Sequence, residues 1–157
     1  MIELHPRDSI FNHMELIALV NPVNTVGVSG AGLAMEFKER FPDNFKFYQN
    51  ACHAGKMVTG RMLVYTRQEL FAPHYIINFP TKAHYSEKTR PAYIENGLED
   101  LARVIDQYQI SSIGIPALGC DLGGLQWKDV FQIIKRKLRT QRARIVVFPP
   151  LKIRKVS

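Results

Sequence analysis

Short runs of β-branched and aromatic residues alternate along this chain with longer stretches whose apolar residues recur every three or four positions, and this alternation limits the fold most. MELIALVN (14–21) is a compact apolar run that stops at Asn and Pro, as a buried strand does. RMLVYT (61–66), HYIINF (74–79), SIGIP (112–116) and RIVVFPP (144–150) read as further strands. Between them, GLAMEFKERF (32–41) sets Leu33, Phe37 and Phe41 at helical spacing until Pro42 ends the pattern. A second helix starts from Asn44, with Phe45, Tyr48 and Cys52 on one face and Gly55 as its stop. Pro91 suits the first turn of a third, lined by Ile94, Leu98, Leu101, Ile105 and Tyr108. Trp127, Val130, Ile134 and Leu138 form the apolar side of a fourth. Strands separated by helices of this length imply an α/β fold with a largely parallel sheet covered on both faces. Ligands in such folds bind where loops leave the carboxyl ends of the strands.

At 157 residues the chain is expected to be a single domain, 1–157, with enough core to fold without disulfides or metal. No apolar run is long enough to span a bilayer. The start, MIELHPRD, lacks the features of a signal peptide, and two cysteines make no disulfide framework, so a reducing, cytoplasmic setting is expected; a monomer is expected as well. A net charge of +7 favours polyanionic partners. The basic runs at 135–144 and 151–157, taken alone, read as a solvated helix face and a tail.

Three loops that leave strands carry unusual residues: NPVNTVGVSGAG, NFPTKAHY and PALGCDLGGL. Glycines at 27, 30 and 32 precede a helix, where free N–H groups and the positive dipole end suit a phosphate. The spacing is neither a Walker A loop nor a clean GxGxxG. Gly119, Gly123 and Gly124 precede another helix, and two such loops facing one another suit a diphosphate. Asn21 and Asn24 end the first strand and could meet ribose hydroxyls or simply shape a turn. Cys120 lacks a partnering histidine signature and reads as a small packing residue. Histidines 5, 13, 53, 74 and 84 show no ligand spacing, so no metal is expected.

Lys82 emerges at a strand's carboxyl end beside both glycine loops. As an ammonium it could neutralise phosphate or protonate a leaving group, and as a free amine it could attack an anomeric carbon. His84 and Tyr85 are expected to pack the loop rather than flank a ligand.

With LVNPVNTVGVSGAGLAMEFKERFP, INFPTKAHY and IPALGCDLGGLQWKDV in place, the sequence resembles a macro domain, the family that binds ADP-ribose, over nearly its whole length. It is most similar to the DarG-type DNA ADP-ribosyl glycohydrolases, within the branch that includes the terminal ADP-ribose protein glycohydrolases. The resemblance implies a three-layer α/β/α sandwich with a mixed, largely parallel central sheet, and an enzyme that removes ADP-ribose from thymidine in DNA. It implies Lys82 as the catalytic residue and Asn24 as a ligand of the distal ribose. Gly30, Ala31, Gly32 and Leu33 would contact ribose and diphosphate from the first loop. Gly119, Cys120, Asp121, Leu122, Gly123 and Gly124 would clamp the diphosphate from the second, and Thr81, Pro116 and Leu118 complete the expected contacts. Asp8 matches the aspartate that recognises adenine, with Arg7 replacing the usual preceding glycine. The implied partners are ADP-ribose, ADP-ribosylated DNA and a DarT-type toxin, with no resident cofactor. Direct binding of the toxin is not expected from the matched stretch, since DarG antitoxins carry a further C-terminal region.

Gly123 stands where protein-directed relatives place a catalytic acid, which favours the DNA-directed reading. Asp121 replaces a usual glycine and offers an acid from another position, while Ser29 replaces a common methionine. Hydrolysis of ADP-ribosyl esters on proteins or of small ADP-ribose derivatives, and non-catalytic ADP-ribose binding, are the competing functions.

Overall fold

The computed structural model describes residues 2–151. Most of the expected basic tail, 152–157, lies outside the described residues. Six strands form one mixed sheet: β1 (Ile2–Leu4), β2 (Ala18–Asn24), β3 (Leu63–Thr66), β4 (Tyr75–Lys82), β5 (Ser112–Ile115) and β6 (Arg144–Val147), in the order β1-β6-β5-β2-β4-β3. Every neighbouring pair is parallel except β3 with β4. The helices are α1 (Gly32–Arg40), α2 (Pro42–His53), α3 (Pro91–Gln107) and α4 (Trp127–Leu138), with a short 3-10 turn at Ile10–Asn12. Among the described residues no helix is long and apolar enough to cross a membrane.

Alternation along the strands divides the core. Ala18, Val20, Ile77, Phe79, Ile113, Ile115, Ile145 and Val147 face α3 and α4 in the larger cluster. Leu19, Ile76 and Val146 face the other way, against Phe37 and Phe41 and the 3-10 turn's Ile10 and Phe11. Because successive side chains of a strand point to opposite faces, both layers of helices are needed to bury them.

The differences from the sequence reading lie at strand ends. β1 was not expected, because three residues offer too little periodicity to see. β2 does not stop at Asn21 and Pro22 but runs on to Asn24, and β4 continues through Pro80 to Lys82. A proline cannot donate to a ladder and fits where a strand has lost one neighbour. That condition holds at both places: β5 pairs with β2 only at Ala18 and Leu19, and β3 pairs with β4 only as far as Asn78. β2 and β4 therefore outrun the sheet together as a two-stranded tongue. Pro42, expected to end one helix, also opens α2 at its first turn.

Gly97 of α3 lies against Phe79, so close that a Cβ at 97 would overlap the ring. Phe79 is fully buried. Gly97→Ala should lower stability by about 1–3 kcal/mol through overpacking. Urea denaturation checks this, and an unchanged midpoint would show that α3 can move away from β4 freely.

Candidate active site

The tongue ends in a β-bulge. Val23 pairs with Pro80 but Asn24 pairs with Lys82, which leaves Thr81 as the extra residue, its hydroxyl donating to the Val23 carbonyl at 3.4 Å. A bulge re-aims the side chain that follows it. Lys82 consequently lies on the wall of a cleft of about 330 Å³, half-buried, with Nζ donating to the Tyr85 carbonyl at 3.1 Å.

The first glycine loop is built on Asn24. Its side-chain oxygen accepts from the N–H groups of Val26 and Gly27, each at 3.1 Å, and of Val28 at 3.4 Å. Its amide donates to the Val28 carbonyl at 2.8 Å. The Tyr48 hydroxyl lies 2.8 Å from the Asn24 backbone oxygen and 2.9 Å from its side-chain oxygen, and its one hydrogen serves either. Burial raises the Tyr48 pKa well above the usual phenol value, so the group stays a neutral donor. Asn24 thus borders the cleft with its amide already committed to folding the loop. Asn21, the other candidate for ribose, is buried beneath: it donates to Asn78 at 3.1 Å, and Asn78 exchanges hydrogen bonds with Asn44 of α2. It ties β2, β4 and α2 together rather than facing a ligand.

The loop runs into α1, whose N-cap is Ala31, without a side-chain acceptor. The first-turn N–H groups therefore receive no acceptor from the N-cap side chain, and a helix N-terminus of this kind suits an anion. Gly32 sits at φ +60°, where a side chain would be strained.

The second loop is shaped from behind by Thr89. The Thr89 N–H donates to the Gly123 carbonyl at 3.0 Å, and Leu125 N–H donates to the Gly119 carbonyl at 2.9 Å. A Cβ on Gly123 would collide with the Thr89 hydroxyl and the Gly119 carbonyl. With those carbonyls turned into the fold, the N–H groups of Asp121, Leu122, Gly123 and Gly124 make no hydrogen bond within the described residues. The loop ends at Gln126 and α4 begins at Trp127, where the sequence places the start of that helix. Thr89 went unnoticed in a polar SEKTR stretch, and only its burial reveals the role.

Of the residues expected to contact ligand, Asn24, Gly30, Ala31, Gly32, Leu33, Thr81, Lys82, Gly119, Asp121, Leu122 and Gly123 line this one cleft. Pro116, Leu118, Cys120 and Gly124 are not among the lining residues, and Leu118 is fully buried in the core. Burial, with the adjacent Asp121, pushes the Cys120 thiol up to about 12, so it is not a nucleophile. Asp8 stands apart, its carboxylate already engaged by the Ser9 N–H, Asn12 and His13. Tyr85 was expected to pack the loop, yet it is 56% exposed and borders the cleft, with its ring tilted against that of His84 at 4.1 Å between centroids.

A model of the Macro domain family matches residues 20–134. The chain is 45% identical over 135 residues to a DNA ADP-ribosyl glycohydrolase of Thermus aquaticus, covering 85% of this chain and 38% of that protein. It thus spans well under half the length of this curated relative. The macrodomain of Mycobacterium tuberculosis DarG superposes with a TM-score of 0.91 at 40% identity, over 96% of this chain and 98% of that one. Thermosipho africanus DarTG in complex with ADP-ribose gives 0.88 at 32% identity, over 98% of this chain and 43% of that one.

Removing the Tyr48 hydroxyl leaves Asn24 short of a buried donor. Tyr48→Phe should destabilise the fold by about 1–2 kcal/mol, read from the shift in urea midpoint. A loss indistinguishable from zero would mean that the loop is held without it.

Proposed function

The chain belongs to the macro domain family, and from that premise we propose that it is a DNA ADP-ribosyl glycohydrolase, freeing thymidine in DNA from ADP-ribose attached by a DarT-type toxin. In this reading it acts as a cytoplasmic monomer that recognises ADP-ribose and the DNA joined to it. The observation that carries the reading is the position of Lys82, opposite Asn24 and on the wall of the cleft that both glycine loops line. The names of relatives at 44–45% identity support the same substrate class.

The uncapped first turn of α1 and the free N–H groups at 121–124 would hold the diphosphate from two sides. The reaction is hydrolysis of an N-glycosidic bond. The bond from the anomeric carbon to the thymine nitrogen breaks, water supplies hydroxyl to the carbon, and its remaining proton goes to the base. Charge gathers on the departing base, and a donor placed there lowers the barrier. Lys82 already points its Nζ hydrogen at an acceptor, the Tyr85 carbonyl, and the departing base takes that carbonyl's place. Tyr85, exposed at the mouth, offers a ring on which the modified base or its neighbour stacks.

Incubation with a thymidine-ADP-ribosylated oligonucleotide tests the assignment. Lys82→Ala should slow release by about a hundredfold or more while ADP-ribose affinity, by calorimetry, changes little. Full activity in that variant removes Lys82 from the mechanism, and faster release from ADP-ribosylated protein than from DNA reverses the substrate choice. Borohydride should trap no adduct if Lys82 is a donor, whereas a trapped imine would make it the nucleophile.

Tyr85→Ala should raise KM for modified DNA about fivefold or more and leave free ADP-ribose binding unchanged. Equal loss on both would place the ring against the nucleotide instead. With a net charge of +7 on the protein, activity on modified DNA should also fall steeply with added salt, because counterions are released on association. A salt-independent rate would confine DNA contact to the modified nucleotide.

A further inference from the structure

Away from the cleft, where β1 leaves the sheet, the structure gathers three potential metal ligands that sequence spacing does not suggest. His5 follows β1, Asp8 lies in the turn after it, and His13 caps the 3-10 turn; one ligand atom from each falls within 4.8 Å of the other two. We propose that His5, Asp8 and His13 form a binding site for a divalent transition-metal ion of the zinc class.

The geometry supports this in three ways. First, His5 Nδ1 and His13 Nε2 converge on the same carboxylate oxygen, Asp8 Oδ2, at 3.5 and 2.5 Å. Ligand atoms bonded to one tetrahedral zinc lie about 3.4 Å apart, so His5 is already spaced for it and the His13–Asp8 pair must open by about an ångström. The ion replaces the hydrogen that now bridges that pair, and binding releases it as a proton.

Second, each histidine turns its other ring nitrogen towards a separate carboxylate. His5 Nε2 is 3.6 Å from Glu3, and His13 Nδ1 is 3.5 Å from Glu15. A metal-bound histidine usually gives its remaining N–H to such a group, which fixes the ring and strengthens it as a ligand. Glu3 is itself held by Arg144 at 2.6 Å.

Third, the rings are braced. They meet edge to face at 4.9 Å between centroids, and both pack on Phe148, whose own ring is buried. Each of the three side chains retains 16–29% exposure, which leaves an approach for the ion and room for a water as fourth ligand. Two imidazoles and one carboxylate favour zinc, cobalt or nickel over calcium and magnesium, which prefer oxygen alone.

The test is titration of the tag-free, chelator-stripped chain with Zn2+, followed by Co2+ as a spectroscopic probe. We expect one equivalent of either ion to bind, with a cobalt spectrum of nitrogen and oxygen ligation. Asp8→Asn, His5→Gln and His13→Ala should each weaken binding at least tenfold, and Glu15→Gln about tenfold. Thermal unfolding in chelator establishes that the variants are folded, and His5→Gln with Glu15→Gln decides the matter should His13→Ala fail to fold. Absence of binding at one equivalent overturns the proposal. So does unchanged binding in folded His5→Gln, or a thiolate band in the cobalt spectrum, which would put the ion at Cys52 or Cys120.

Discussion

The arrangement rests on one backbone pairing, that of β2 with β4 beyond the point where their outer neighbours have ended. Inside the sheet the two strands are interchangeable with any parallel pair. Past Leu19 and Asn78 they support one another alone, and a short two-stranded ribbon is marginal in water. Buried amides make up for the missing neighbours: Asn21, Asn78 and Asn44 link both strands to α2, and Tyr48 reaches Asn24 from the same helix. Polar groups in such a place are costly unless paired, and here almost every one is. Asn21 Oδ1 is an exception, without a partner among the described residues. The bulge at Thr81 then brings Lys82 level with Asn24, so this lysine and the loop organiser are fixed by a single register.

The second glycine loop is held by backbone hydrogen bonds from Thr89 and Leu125 and is closed by a steric constraint as well. Thr89 fills the space behind Gly119 and Gly123, and its own hydroxyl is buried without a partner. Position 123 is therefore closed to any side chain by the Gly119 carbonyl as well as by Thr89. An acid at that position would require the loop backbone at 119 to move as well as a different residue at 89. Asp121 is the only carboxylate lining the cleft among the described residues.

Local periodicity made the architecture readable. Ile94, Leu98, Leu101 and Ile105 at helical spacing, and the alternation of Ile76 and Ile77 between faces, are properties of neighbouring residues and survive in the bare sequence. The glycine loops and Lys82 were legible for the same reason, since each motif is contiguous. What escaped depends on residues far apart in the chain. Pro22 and Pro80 looked like strand ends because nothing local reveals that β5 and β3 stop early. Thr89 is one polar residue among several until Gly123, 34 positions on, comes to lie against it. Of the basic run at 135–144, expected to form a solvated helix face, only the part up to Leu138 lies in α4, where Arg136 and Lys137 meet Glu95 and Glu99 of α3, while Arg144 opens β6 and pairs with Glu3. Part of the positive charge is thereby used within the fold.

Parallel strands also explain why two polar centres share one edge. β1, β6, β5, β2 and β4 all run the same way, so their carboxyl ends emerge together, and loops rich in chemistry collect there. The β2–β4 tongue takes the centre of that edge with the cleft, and β1 takes the flank with His5, Asp8 and His13. Asp8 is the link between them. In the resemblance to ADP-ribose binders its carboxylate belongs to adenine, whereas in this fold both oxygens already have donors within the chain. A carboxylate oxygen accepts more than one hydrogen bond, so adenine could still share Oδ1, but Oδ2 is committed to the histidines. With Arg7 at φ +58°, a conformation that glycine adopts without strain, the turn holds Asp8 towards His13 at some cost. The departure from the family's glycine at position 7 and the capture of Asp8 by two histidines are thus features of the same turn.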